Sequence, residues 1–356
     1  MKSLCNKLIL IIILLPWSLA MQAQAHFVAF QSTGETALCL SGEAQASPIV
    51  MDEFDFDGVQ HAVGNLKNDL LAVTGQKHEV GYSIPNHSVS SMLIVGSLPK
   101  SKLIRELADR GKIDGKALDG CYEKYMVQVV EQPFPNVERA LVIAGSDQRG
   151  TIYGVYALSE QIGVSPWYYW ADVPIGHHKD IYILPGIYTN DEPKVKYRGI
   201  FLNDEAPALS GWVHHTFGGF NHLFYEKVFE LILRLKGNYI WPAMWGRSFY
   251  DDDPENGILA DRMGIVVGTS HHEPMGRAHA EWKKHGSGGW NYEQNAANLN
   301  RFWEGGLRRM NEWEKVVTIG MRGDGDEPMS ERHNIALLEQ IIKQQRKLIA
   351  SVTGKE

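Results

Sequence analysis

The chain has 356 residues, with 35 Lys and Arg against 42 Asp and Glu, a formal charge of −7. An acidic surface repels polyanions, and the sequence holds no basic run or basic helix, so nucleic-acid binding is not expected; an acidic ligand needs a local arginine working against the global field. The length predicts about two domains, and 10 Trp, 14 Tyr and 12 Phe supply a large core as well as the aromatic and polar mixture usual in a sugar-binding cleft.

The chain opens MKSLCNKLILIIILLPWSLAMQAQA, with Lys2 and Lys7 ahead of an apolar run and a small-residue pattern at Ala23 and Ala25. This is the make-up of a secretory signal, residues 1–25, cut after Ala25. The unbroken apolar stretch from Leu8 to Leu15 is far short of the ~20 residues needed to cross a bilayer. A secreted or periplasmic protein is therefore expected, with no membrane association once the signal is removed. Without the two signal lysines, 33 basic residues face 42 acidic ones, a charge of −9. Cys5 leaves with the signal, and Cys39 and Cys121 remain, enough for one disulfide and too few for a stapled scaffold.

From His26, the alternation in "TALCLSG" predicts an early strand, and "GVQHAVGNLKNDLLAVTG" puts Val59, Ala62, Val63, Leu66, Leu70 and Leu71 on one helical stripe ending at Gly75. "SMLIVGS" is a short apolar run ending in glycine, a buried strand. "SKLIRELADRGKI" reads as an amphipathic helix, "YEKYMVQVVEQ" and "ALVIAGSD" as strands, and "RGTIYGVYALSEQIGVSP" as a helix closed by Gly163 and Pro166. The alternation implies a small α/β layer domain over residues 26–176. The glycines of "GSDQRGTIYGVYALSEQIG" match neither G-x-G-x-x-G nor the Walker spacing, so no nucleotide cofactor is expected; Ser146 or Asp147 caps the helix instead. The aromatic and proline-rich stretch that follows reads as a connection, with a linker at residues 177–196.

From residue 197 the pattern changes. "YRGIFLNDE", "GNYIWPAMW", "IVVGTSHHEP" and "VVTIGMRGDGDEP" are four apolar runs, each ending in a polar cluster, and between them lie "YEKVFELILRLK", "NGILADRMG" and "NAANLNRFWEGGLRRMNEW", with "SERHNIALLEQIIKQQRKLIASVTG" last. Four βα units of this kind are what a parallel (β/α)8-type barrel requires, since its active groups gather at the C-terminal rim. The last cluster has two readings. If the strand continues through Arg322, Asp324 and Asp326, alternation puts all three on one face, and Gly323 and Gly325 allow close backbone approach. A solvated turn uses the same residues. The parallel clusters at Asn203, Asp204 and Glu205, at Trp241, and at His271, His272 and Glu273 favour a shared mouth.

"YRGIFLNDEAPAL", "FELILRLKGNYIWPAMW", "TSHHEPM", "WNYEQN" and "GMRGDGDE", preceded by "VIAGSDQRGTIYGVYALSEQIGVSPWYYWADVP", resemble glycoside hydrolase family 115, the xylan α-1,2-glucuronidases, over about Asp55 to Glu327. The resemblance implies removal of glucuronic acid or its 4-O-methyl ether from glucuronoxylan, with inversion. It also implies an α/β first domain, a (β/α)8 catalytic domain, further helical and β-sandwich domains, and a homodimer at full length. Only four βα units fit before Glu356, so the expected catalytic barrel, residues 197–356, is truncated to its first half and the chain is expected to be a fragment.

Inverting hydrolysis needs one protonated carboxyl and one carboxylate about 6.5–9.5 Å apart, with room for a water between. Within the matched motif, Asp326 is the first candidate for a catalytic carboxyl, with Glu205 and Asp324 behind it. Arg322 is the candidate for the uronate carboxylate, which a guanidinium grips through two parallel hydrogen bonds. Asn203, Asp204, His271, His272 and Glu273 are candidates for the sugar hydroxyls and Trp241 for stacking on a pyranose. "HHEP" is not helical and lacks the i, i+4 zinc arrangement, so no metal is expected. A hexosaminidase-like hydrolase and a non-catalytic carbohydrate-binding protein are the competing readings.

Overall fold

A computed structural model describes residues 26–34, 36–43, 45–242, 246–329 and 334–355. The signal-like segment lies outside them.

The strands in chain order are β1 (Val28–Ala29), β2 (Leu38–Gly42), β3 (Gln45–Ala46), β4 (Ile49–Met51), β5 (Val80–Gly81), β6 (Val89–Ser97), β7 (Tyr125–Glu131), β8 (Val137–Gly145), β9 (Ile181–Ile183) and β10 (Ile187–Thr189), followed by β11 (Gly199–Phe201), β12 (Tyr239–Trp241) and β13 (Val266–Val267). The longer helices are α1 (Asp57–Thr74), α2 (Lys102–Asp109), α3 (Gln148–Gln161), α4 (Ala208–Phe217), α5 (His222–Arg234), α6 (Glu255–Met263), α7 (Tyr292–Arg309) and α8 (Ile335–Thr353).

The central sheet runs β10-β7-β8-β6-β4-β5. Strands β5, β4, β6 and β8 are parallel, while β7 and β10 are antiparallel additions. The continuous apolar run in β6 is explained by burial on both faces. Leu93 and Val95 join the cluster that contains α1 and α3, whereas Met92 and Ile94 join a second one with Ile104 and Leu107 of α2. The period of two thus sends alternate residues into two cores. Gly75 ends α1 in the left-handed region at φ 71°, as a C-terminal glycine should. Of the two candidate caps for α3, Asp147 is the one used, its carboxylate accepting from Gly150 N at 2.7 Å.

The stretch expected as a linker at 177–196 instead carries β9 and β10. β9 lies between β1 and β2, and β10 pairs with β7. Its isoleucines account for this: Ile181 and Ile183 alternate inward and are fully buried. Cys39 and Cys121 are free thiols.

β11, β12 and β13 form a separate parallel sheet in that order, with α4 and α5 between the first two strands and α6 between the next two. The fourth apolar segment follows β13 in the same direction through one bridge, Val267 to Lys315, and a Val316 N to Val267 O bond of 3.3 Å. The α/β layers and this parallel sheet share one continuous core that reaches from Phe27 to Ile341. Two buried polar hubs pin the layers together. Arg234 of α5 donates to Glu230 at 2.8 Å and, with two nitrogens, to Asp69 of α1 at 2.9 and 3.1 Å. Glu123, fully buried, accepts from Arg198 at 2.5 Å and from Asn238 at 2.7 Å, the residues that flank the entries to β11 and β12.

Candidate active site

The C-terminal ends of β11, β12 and β13 open into one cavity of about 780 Å³. Pairing continues one step beyond β11, where Leu202 N donates to Trp241 O at 2.9 Å. Asn203, Asp204 and Glu205 then leave the sheet and line the cavity before α4 begins. From β12, Trp241 adds an aromatic wall, edge-on to Phe201 at 5.6 Å between ring centres. Past β13 the chain turns sharply: Thr269 Oγ1 donates to the Glu273 carbonyl at 2.6 Å, Glu273 N to the Ser270 carbonyl at 3.1 Å, and the Ser270 hydroxyl to the Glu273 carboxylate. That turn sets Ser270, His271, His272 and Glu273 along the cavity wall, with the two imidazole rings 4.0 Å apart.

Two of these carboxyls hold protons more tightly than usual. Burial pushes Glu273, only 3% exposed, above the ordinary glutamate range; Ser270 and His271 oppose the shift and the nearby Asp204 charge adds to it. Half-buried Asp204 is also raised by burial, with its backbone N–H and Arg247 opposing and Glu205 adding. Carboxyls that feel one another across a partly dry cavity are reluctant to be charged together. Such a site keeps a proton available for donation and still presents acceptors to sugar hydroxyls.

Of the residues singled out in the sequence, Asn203, Asp204, Glu205, Trp241, His271, His272 and Glu273 are brought together here. Arg322 and Asp324 lie outside the lining. The strand continuation that would have aligned them is replaced by a turn: Gly320 and Gly325 take positive φ of 110° and 62°, and Gly323 N donates to Glu327 O at 2.7 Å instead of to a neighbouring strand. Asp324 is exposed and sits 3.2 Å from His279 Nε2, while the Arg322 carbonyl accepts from Trp290 Nε1 at 2.9 Å. The side chain of Asp326 lies outside the described residues. Arg247, which sequence reasoning passed over, is the single Lys or Arg in the described lining. Its signal was present in "GNYIWPAMWGRSFY", where it is the first cation after a strand end.

Among the described residues one trio of possible metal ligands meets, Asp251, Glu281 and His285. Cations already pair with both acids: Arg277 and Arg309 with Glu281, and Lys284 with Asp251 at 2.9 Å. Little charge is left there to attract an ion.

The model of glycosyl hydrolase family 115 matches residues 190–356. Among solved structures, a family 115 4-O-methyl-α-glucuronidase with specificity for decorated arabinogalactans superposes with a TM-score of 0.76 at 31% identity, over 90% of this chain and 41% of its own. This chain thus spans about two fifths of that relative. A Flavobacterium johnsoniae chitobiase is more distant, at 12% identity and a TM-score of 0.46 over 91% of this chain and 50% of its own. No curated protein matches. With its parallel β11–β13 sheet inside the matched region and a member's structure following nine tenths of its length, the chain belongs to glycosyl hydrolase family 115.

Proposed function

We propose that this polypeptide carries the sugar-binding face of an α-glucuronidase, which releases glucuronic acid or 4-O-methylglucuronic acid from xylan or a similarly decorated polysaccharide with inversion. The observation that supports this most is the convergence of three successive strand ends on one cavity holding Asp204, Glu205 and Glu273, two of them with raised proton affinity. In this reading β11, β12, β13 and the segment at Lys315 are the first arc of a (β/α)8 barrel, whose catalytic groups belong at the strand C-termini. Asp204 and Glu273, whose proton affinity burial raises, hydrogen-bond the sugar and govern the proton state of the acid/base pair. Asp326 keeps its candidacy as a catalytic carboxyl from its place in the matched motif, with Glu205 as the cavity carboxyl nearest the solvent side. Trp241 stacks on the pyranose.

The experiment is product analysis on glucuronoxylan, decorated arabinogalactan and chitobiose side by side. Release of 4-O-methylglucuronate or glucuronate supports the reading. Release of N-acetylhexosamine instead, or binding of uronate polysaccharide without any turnover, replaces it with a hexosaminidase-like or a purely carbohydrate-binding function.

A further inference from the structure

We infer that Arg247, held in place by His214, is the residue that selects an acidic sugar in this cavity. The inference rests on the α-glucuronidase reading and assigns the uronate carboxylate to a side chain different from Arg322.

The lining contributes three carboxyls and, among its described residues, one guanidinium. A sugar carboxylate entering such a cavity is repelled by its acids and finds its one arginine at Arg247. Raised proton affinity at Asp204, the acid that feels the Arg247 charge, lessens that repulsion and leaves the guanidinium less compensated. An arginine also offers five N–H donors in a planar fork, so a bond to one neighbour leaves others for a bidentate grip on a planar carboxylate.

The geometry at His214 defines how Arg247 is aimed. Arg247 Nη2 lies 2.8 Å from His214 Nε2, and His214 Nδ1 lies 3.3 Å from the Gly218 carbonyl. A guanidinium only donates and a carbonyl only accepts. His214 therefore carries its proton on Nδ1, gives it to Gly218, and receives the Arg247 N–H on Nε2. Gly218, at φ 79°, ends α4 in the left-handed conformation, so the helix terminus itself fixes the imidazole. Phe220 supports the pair from below, with the Arg247 guanidinium 5.6 Å from its ring centre and the His214 ring edge-on at 6.3 Å. Arg247 is the group that touches the sugar, and His214 is a positioning residue.

The test uses the whole 356-residue chain and free D-glucuronate as the probe, with D-glucose as the neutral control, measured by calorimetry at pH 6. Arg247→Ala is expected to weaken glucuronate binding about ten- to a hundredfold, the usual cost of losing charge-assisted hydrogen bonds, and to leave glucose binding within about twofold. Arg247→Lys keeps the charge and should recover only part. His214→Leu should lose a smaller share, and His214→Gln, whose amide oxygen can accept from the guanidinium, should regain most of it; a role in helix packing alone would not be rescued this way. Unfolding midpoints guard against collapse of the variants. If wild type binds glucuronate and Arg247→Ala binds it equally well, or if Arg322→Ala is the variant that loses it, the inference is overturned while the functional reading survives. If wild type binds neither glucuronate nor glucose, the functional reading itself falls and takes this assignment with it.

Discussion

Arg234→Met probes how firmly the α/β layers hold the cavity-forming half. Arg234 is 3% exposed and makes three N–H bonds to two carboxylates, Glu230 on its own helix and Asp69 on α1, while its guanidinium lies 4.6 Å from the Tyr156 ring centre and 5.0 Å from that of Tyr168. Methionine fills much of the same volume but leaves buried Asp69 without its cation and leaves buried Glu230 with only Lys227, 3.5 Å away. Breaking a buried pair in this way costs about 3–5 kcal/mol, against about 0–1 kcal/mol for an exposed pair. The loss should appear in the unfolding free energy from urea titration followed by tryptophan fluorescence. Adding Asp69→Asn and Glu230→Gln to the same protein removes the stranded charges and should return most of the stability. A single variant that loses less than about 1 kcal/mol, or a triple variant no better than the single, would refute this account of the hub.

Gly199 permits β11 to lie on β12: a Cβ built there would fall 1.6 Å from the Tyr239 carbonyl oxygen. Gly199→Ala must push the two strands apart and should cost about 1–3 kcal/mol or more of stability, together with a loss of glucuronate affinity; unchanged stability in thermal unfolding would contradict the strand register. Glu273 gives a pH prediction. Its proton affinity is raised in the folded state, chiefly by burial, so its contribution is fully present below the unfolded value near ~4.3 and is lost as pH rises through the folded one. Glu273→Gln removes the charged form, so its unfolding temperature relative to wild type should climb from about pH 4 upward, and a difference that stays flat or falls across that range would show that folding does not raise the carboxyl's proton affinity.

The elements of both halves were legible in the sequence because their signals are local. Stripes such as Val59 to Leu70, the apolar runs of β6 and β8 and the cap at Asp147 need no tertiary information. Strand-end clusters at Asn203 to Glu205, Trp241 and His271 to Glu273 were legible for the same reason, and the sheet brings them together. What failed to show was decided by backbone choices at glycine and by partners distant in sequence. The "GMRGDGDE" motif fits a strand on alternation alone, yet the positive φ at Gly320 and Gly325 turns it away from the ladder. The 177–196 stretch looks like a linker until Ile181 and Ile183 meet β1 and β2. Arg247 has no periodicity to mark it, only its place as the first cation after β12, and its position on the cavity wall depends on tertiary structure.

The most direct test of the proposed sugar site is a crystal structure of this chain grown with glucuronate. A pyranose against Trp241, with its carboxylate on Arg247 and its hydroxyls on Asp204 and Glu273, is the predicted outcome. A sugar bound on another face of the molecule, with this cavity holding only solvent, would contradict it.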